Sequence, residues 1–154
     1  MAGKLVQGID HVALQVSDIG EGLRFFRDLL GFDVKYEAEA EGFKVYILQA
    51  GKIQLELWEA PGAGSLPRPD SALVRPGLNH IALAVSDLKT VLQYLSDCGY
   101  PTIKDIYSPT EGIREAVVLG PDNVEVQFIQ QDVPLLIWRT IRGDFRKKAP
   151  TPRP

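Results

Sequence analysis

The chain has 154 residues, which is enough for one domain with a buried core or for two small modules. Its hydrophobic content of 45% and charged content of 24% exclude a disordered chain, and its net charge of −3 gives no reason to expect a nucleic-acid partner. The single cysteine excludes an internal disulfide and no apolar run approaches the roughly 20 residues that span a membrane, so we expect a soluble, cytoplasmic protein.

The first predicted strand lies at 9–16, where I-D-H-V-A-L-Q-V is rich in apolar and β-branched residues. Asp18 follows as a helix N-cap, and apolar residues at helical spacing continue to Leu30, just before Gly31. Three further strands are predicted, at 32–37, 43–49 and 53–58. Residues 1–60 are thus predicted to form one βαβββ module.

A linker rich in proline and glycine is predicted at 61–77. The second module, at 78–131, repeats the order of elements: a strand at 78–85, a helix that Asp87 caps and Gly99 ends, and strands at 102–107, 113–119 and 124–129. Residues 132–154 are a C-terminal extension, in which L-L-I-W-R-T-I is predicted to form a short amphipathic helix. The six basic and one acidic side chains at 139–154 indicate a solvated end.

Both modules begin with nearly the same segment. Residues 8–18 read GIDHVALQVSD and residues 77–87 read GLNHIALAVSD, with seven of eleven positions identical. His11 and His80, the two histidines of the chain, occupy the same place in this repeat. A lone histidine on a strand is commonly a structural residue, but its repeated placement favours a shared role for the pair.

The alternation of side chains along a strand predicts which of them share a face. His11 and His80 lie opposite the apolar faces of the strands that open the modules. On the closing strands, Glu56 lies opposite the apolar face in the first module, and both Glu125 and Gln127 do so in the second. Imidazole, carboxylate and amide oxygen are ligands of divalent first-row metals, so the pattern predicts a metal site.

The sequence resembles the vicinal oxygen chelate superfamily, which includes glyoxalase I, extradiol dioxygenases, fosfomycin-resistance enzymes and bleomycin-binding proteins. The resemblance covers about residues 8–130 and rests on the paired modules, on the two histidine segments, and on F-F-R-D-L-L-G-F, G-K-I-Q-L-E-L and G-P-D-N-V-E-V-Q-F. It implies an α+β fold in which two tandem βαβββ modules form a curved mixed sheet around a central cavity, with helices on the outer face. It also implies a homodimer that acts on a small oxygenated substrate. The charge and hydropathy of the chain give no reason to expect a nucleic-acid or membrane partner.

In metal-dependent members of the superfamily, the ligands come from the first and fourth strands of each module. The resemblance therefore implies His11, Glu56, His80 and one residue of the final strand. Alignment on the turn motif gives Gln127, which we favour, whereas the spacing of the repeat gives Glu125 as the alternative. The implied cofactor is a divalent ion, such as Zn, Ni, Co, Mn or Fe.

The resemblance implies a metal-dependent enzyme of the glyoxalase type, either a lyase or an isomerase or epimerase. Its metal would chelate the substrate and stabilise an enolate-like intermediate. Glu56 is the predicted catalytic base, with Glu125 second and Glu115 third. One alternative is a non-haem Fe(II) ring-cleaving dioxygenase that uses His11, His80 and Glu56. Another is a metal-free drug-binding protein of the bleomycin-resistance type.

Overall fold

The computed structural model describes residues 9–62, 78–109 and 111–131. The chain forms two compact units, of which the first contains residues 1–75 and the turn 120–124, and the second contains residues 76–119 and 125–154. Most of the predicted linker, the predicted tail helix and the basic end at 139–154 lie outside the described residues. In the described ranges, no helix is long and apolar enough to cross a membrane.

The first unit contains a four-stranded mixed sheet with the strand order β1-β4-β3-β2. Its strands are β1 (His11–Gln15), β2 (Asp33–Ala40), β3 (Phe43–Ala50) and β4 (Ile53–Glu59). Strand β1 pairs in parallel with β4, while the other neighbours are antiparallel. The helix between β1 and β2 therefore carries the chain from one edge of the sheet to the other.

The helix of the first unit begins as α1 (Ile19–Leu23) and continues directly as a π-helical segment, Arg24–Leu29. Asp18 caps it, since its carboxylate accepts from the backbone N–H groups of Gly20 and Glu21 at 2.7 and 3.3 Å. The sequence pattern predicts one regular helix here. The structure instead widens the last turns, so that the adjacent side chains of Phe25 and Phe26 are both buried.

The second unit contains a sheet with the equivalent order, β5-β8-β7-β6. Its strands are β5 (Ile81–Ala84), β6 (Thr102–Tyr107), β7 (Ile113–Leu119) and β8 (Glu125–Gln131), and its helix is α2 (Leu88–Asp97). Asp87 caps α2 by accepting from the backbone N–H of Thr90 at 3.2 Å. The turn before β8 groups with the first unit, where the carboxylate of Asp122 accepts from the backbone N–H of Ser17 at 2.8 Å.

The cores lie between each sheet and its helix, on the faces that the alternation predicts. The buried side chains include Leu14, Leu55 and Leu57 in the first unit and Leu88, Leu95, Val126 and Phe128 in the second. In the first unit, Gly22 allows α1 to approach the sheet closely, because a Cβ there would lie 3.2 Å from the side chain of Leu57. Two four-stranded mixed sheets of tandem βαβββ order confirm the predicted α+β class.

Candidate metal centre

His11 and Glu56 are neighbours on the open face of the first sheet. Because β1 pairs in parallel with β4, Ala13 lies opposite Glu56 and His11 is two residues earlier on the same face. His11 Nε2 lies 3.3 Å from Glu56 Oε2, and the two side chains are 39% and 24% exposed. Helix α1 packs on the other face of the sheet, against Leu57. The pair is therefore accessible to a ligand.

The second ring nitrogen of His11 is held by the residue that precedes it. Nδ1 lies 2.9 Å from Asp10 Oδ1. Since a carboxylate only accepts hydrogen bonds, Nδ1 carries the hydrogen of this bond, and loss of a proton from the ring would leave the lone pair on Nε2, the nitrogen nearest Glu56. The hydrogen bond to Asp10, opposed by desolvation and assisted by the charge of Glu56, raises the pKa of His11 above its ordinary value.

His80 repeats this arrangement in the second unit. Its Nδ1 lies 2.8 Å from the side-chain oxygen of Asn79, which also can only accept. The neutral His80 ring therefore also carries its lone pair on Nε2. Both acceptors are visible in the sequence, because the repeat places Asp or Asn directly before each histidine. The alternation of strand faces does not indicate that these residues accept a hydrogen bond from the ring.

The register of the second sheet makes Gln127 the equivalent of Glu56. Gln127 pairs with Ala82 just as Glu56 pairs with Ala13, and the two alanines match in the sequence repeat. Glu125 lies at the start of β8, two residues earlier on the same face. The spacing of the repeat indicates Glu125 only because the second module is two residues longer before its closing strand.

Gln127 is buried, with 8% of its surface exposed, and its amide contacts one side chain of β7 and one of β6. Its Nε2 lies 2.9 Å from Glu115 Oε2 and 3.2 Å from Tyr107 Oη. Tyr107 in turn donates to Glu115 Oε2 at 2.7 Å. Glu115, the third candidate base in the sequence, is thus a direct neighbour of the predicted ligand.

The donors present fit a divalent cation. Two ligand atoms about 2.1 Å from one ion lie roughly 3.0–3.4 Å from each other, and Nε2 of His11 is 3.3 Å from Oε2 of Glu56. Over the described residues, neither unit gathers three His, Cys, Asp or Glu side chains into a metal-binding group. The first unit offers the donors His11 and Glu56, and the second offers His80 and Gln127.

The model of the Glyoxalase/Bleomycin resistance protein/Dioxygenase superfamily matches residues 10–117 of this chain. The chain belongs to this superfamily. The matched range contains His11, Glu56 and His80 and ends before Gln127. The resemblance to vicinal oxygen chelate proteins is confirmed.

The named relatives of this chain include a metallothiol transferase. The metallothiol transferase FosB of Staphylococcus haemolyticus is 31% identical over 83 residues, which are 54% of this chain and 52% of FosB. The chain thus spans about half the length of the curated relatives it matches. The crystal structure of SMU.1112c is 28% identical with a TM-score of 0.68, over 82% of this chain and 99% of that one.

FosX of Listeria monocytogenes, a fosfomycin resistance protein solved with Mn(II) and sulfate, shares the fold. Its TM-score is 0.63 at 15% identity, over 82% of this chain and 93% of that one. At that identity the likeness concerns the fold alone. The bound Mn(II) is therefore a property of FosX, and in this chain the donors His11 and Glu56 are what favours a divalent metal.

Proposed function

We propose that this chain is a metal-dependent enzyme whose divalent cation is held by His11, Glu56, His80 and Gln127. The observation that carries the proposal is the pair formed by His11 Nε2 and Glu56 Oε2, 3.3 Å apart on an open sheet face. Metal-ligating histidines typically donate their other ring N–H to an acceptor that fixes the tautomer, as His11 does here to Asp10. His80 and Asn79 repeat that feature in the second unit.

For the reaction, we propose a lyase or isomerase step on a small substrate with two adjacent oxygen atoms. A divalent cation bound by these donors would act as a Lewis acid toward those oxygens. Glu56, which is part-exposed, is the side chain that would take a proton from the carbon beside the substrate carbonyl. Gln127, at the equivalent position of the second unit, cannot take up a proton. It would only bind the cation, whereas Glu56 would both bind the cation and act as the base. Glu125 is the second candidate base.

A second candidate reaction is the transfer of a thiol to a small electrophilic substrate. The 31% identity with the metallothiol transferase FosB favours it. The same four donors would hold the cation, and Glu56 would take the proton of the attacking thiol rather than a carbon-bound proton. The sulfur–carbon bond would form as a carbon–oxygen bond of the substrate breaks, and the released oxygen would take up a proton. The two candidates therefore differ in the substrate and in the proton that Glu56 removes, not in the metal centre.

The metal content of the purified full chain tests the proposed centre. We expect about one divalent ion per chain by elemental analysis, and less than about a tenth of that in His11→Ala and in His80→Ala, since each variant removes one imidazole donor. Lys52→Ala, an exposed turn residue of the first unit, is the matched control and should retain the metal. A native protein that holds no metal and takes up neither Mn²⁺ nor Zn²⁺ would instead favour the metal-free drug-binding alternative.

The reaction is tested by Glu56→Gln, which keeps an oxygen donor but removes the base. In D₂O, we expect the wild-type protein to introduce deuterium beside the carbonyl of small 2-hydroxycarbonyl compounds, and the variant to do so at least about 100-fold more slowly with its metal retained. Proton NMR measures the exchange. Thiol consumption with fosfomycin, in the absence of such exchange, would establish the second candidate in its place.

A further inference from the structure

Gln127 presents its amide in a single orientation. Its Nε2 donates to Glu115 Oε2 at 2.9 Å and to Tyr107 Oη at 3.2 Å, two acceptors that lie side by side. Rotating the amide by half a turn would place Gln127 Oε1 against the carboxylate of Glu115, so that two acceptors would face each other in a buried setting. The hydrogen-bond partners therefore fix Nε2 toward β7 and leave Oε1 on the other side of the group.

The two acceptors are themselves fixed by their strands. Tyr107 pairs with Glu115 between β6 and β7, and Val117 pairs with Gln127 between β7 and β8, which places the three polar side chains on one face of the sheet. Tyr107 donates to Glu115 at 2.7 Å, and Lys104 Nζ lies 3.8 Å from the centre of the Tyr107 ring. Tyr107, Glu115 and Gln127 thus form a cluster in which each side chain contacts the other two. Glu115 brings a carboxylate to this cluster, whereas Gln127, the proposed ligand, has none.

We propose that Glu115 is a positioning residue of the metal centre. It holds the Gln127 amide so that the carbonyl Oε1 is the donor offered to the cation, and it supplies from β7 the negative charge that Glu56 carries directly in the first unit. A supporting acceptor of this kind commonly changes metal affinity by 10–100-fold. The role rests on the proposed function, because it requires Gln127 to be a ligand.

The first test compares Mn²⁺ binding by the metal-free full chain and its variants, measured by titration calorimetry. We expect Glu115→Ala to bind Mn²⁺ about 10–100-fold more weakly, because the amide loses its anchor and the half-site loses its charge. Tyr107→Phe keeps the bond between Glu115 and Gln127 and should change the affinity by less than about threefold. Asp105→Asn removes an exposed acidic charge from β6 of the same unit and should change nothing.

The second test exchanges the two groups. Glu115→Gln combined with Gln127→Glu keeps the net charge and the size of both side chains, moves the carboxylate onto the ligand, and leaves an amide to donate to it. We expect this double variant to bind Mn²⁺ at least as tightly as the wild-type chain. A double variant that binds no better than Glu115→Ala would overturn the positioning role. Its near-isosteric design also guards against loss of binding through misfolding.

A readout without metal separates this role from the proposed function. In the metal-free wild-type protein, we expect the Gln127 side-chain amide protons to exchange slowly with water by NMR, and to exchange faster in Glu115→Ala but not in Asp105→Asn. Wild-type protein that binds no Mn²⁺ would overturn the proposed centre together with this role. Wild-type binding that Glu115→Ala leaves unchanged would overturn the role of Glu115 alone.

Discussion

Asp10 and Asn79 hold their histidines in the same way but with different charge. Asp10→Asn gives His11 the partner that His80 has naturally: it keeps the acceptor for Nδ1 and removes a negative charge. Because the interaction with Asp10 is what chiefly raises the pKa of His11, we expect that pKa to fall in the variant. A pH titration followed by ¹⁵N NMR measures it, and the spectrum is simple because the chain has two histidines.

The reciprocal change provides the control for this prediction. Asn79→Asp adds a negative charge beside His80 and should leave the pKa of His11 unchanged. Because the pKa of His11 is raised in the folded chain, the interaction of His11 with Asp10 stabilises the fold at pH values below the ordinary histidine pKa. This contribution is lost as the pH rises through the pKa of His11 in the folded chain. An unchanged His11 pKa in Asp10→Asn would show that the two side chains do not interact in solution.

At the scale of single residues, the sequence predicts positions better than it predicts contacts. Strand alternation places His11 and Glu56 on one face correctly, because a side-chain period of two needs no knowledge of neighbours. The contact between Glu115 and Gln127 requires the register between β7 and β8, which the turn before β8 sets. The repeat spacing indicates Glu125 for the same reason, since it ignores the two additional residues of the second module.

Both helices begin on a side chain supplied by the closing strand of their unit. Glu59 of β4 accepts from the backbone N–H of Ile19 at 2.6 Å, and Gln130 of β8 accepts from that of Leu88 at 2.8 Å. Glu59 also accepts from Lys44 at 3.1 Å. This contact fixes the first turn of each helix to its sheet. Because Glu59 and Gln130 play the same part in the two units, β8 corresponds to β4 in the register that makes Gln127 the equivalent of Glu56.

The charge of Glu59 should make the first unit sensitive to acid. Its bonds to the Ile19 N–H and to Lys44 lower the pKa of Glu59, so the stability it contributes is present above the unfolded pKa and is lost as the pH falls through the folded value. Glu59→Gln keeps an acceptor, as Gln130 does in the second unit, and should flatten this part of the pH dependence. Urea unfolding followed by circular dichroism over the acidic range measures the effect.

Removal of the Glu59 side chain should cost more than removal of its charge. Glu59→Ala leaves the Ile19 N–H without its acceptor and should lower the free energy of unfolding by about 1 kcal/mol at neutral pH. Glu37→Gln, at an exposed position of β2, is the control for the loss of one negative charge and should leave the acid profile as in the wild type. A Glu59→Gln profile that follows the wild-type curve would show that the charge has no role.

The helix of the first unit marks the limit of prediction at the scale of elements. Capping residues and apolar spacing locate it correctly, because Asp18 and Gly31 act through local geometry. The π-helical continuation depends on packing: Phe25 and Phe26 are adjacent and both buried, with ring centres 5.0 Å apart and planes at 85°. In a regular helix, adjacent side chains point about 100° apart around the axis. Burial of both rings therefore determines the local helix geometry here, rather than the local sequence pattern.

At the scale of the whole molecule, duplication makes the fold predictable. One module read twice gives two independent predictions of the same strand order, and both sheets have it. In each unit the histidine segment supplies the first strand, the residue that caps the helix and one candidate metal ligand. What the sequence leaves open is the reaction, because the walls of a substrate site come from positions that carry no motif and the superfamily hosts many chemistries.

An ion that binds the folded chain and not the unfolded one should stabilise the fold. Mn²⁺ at about 100 times its Kd should raise the free energy of unfolding by about 2.7 kcal/mol, which corresponds to roughly 5–10 °C in the melting temperature of a chain of this size. Differential scanning calorimetry with and without Mn²⁺ measures it. We expect His11→Ala and His80→Ala each to abolish the shift, although they change different units, and Lys52→Ala to keep it. A shift that survives His80→Ala would show that the ion is held by the first unit alone.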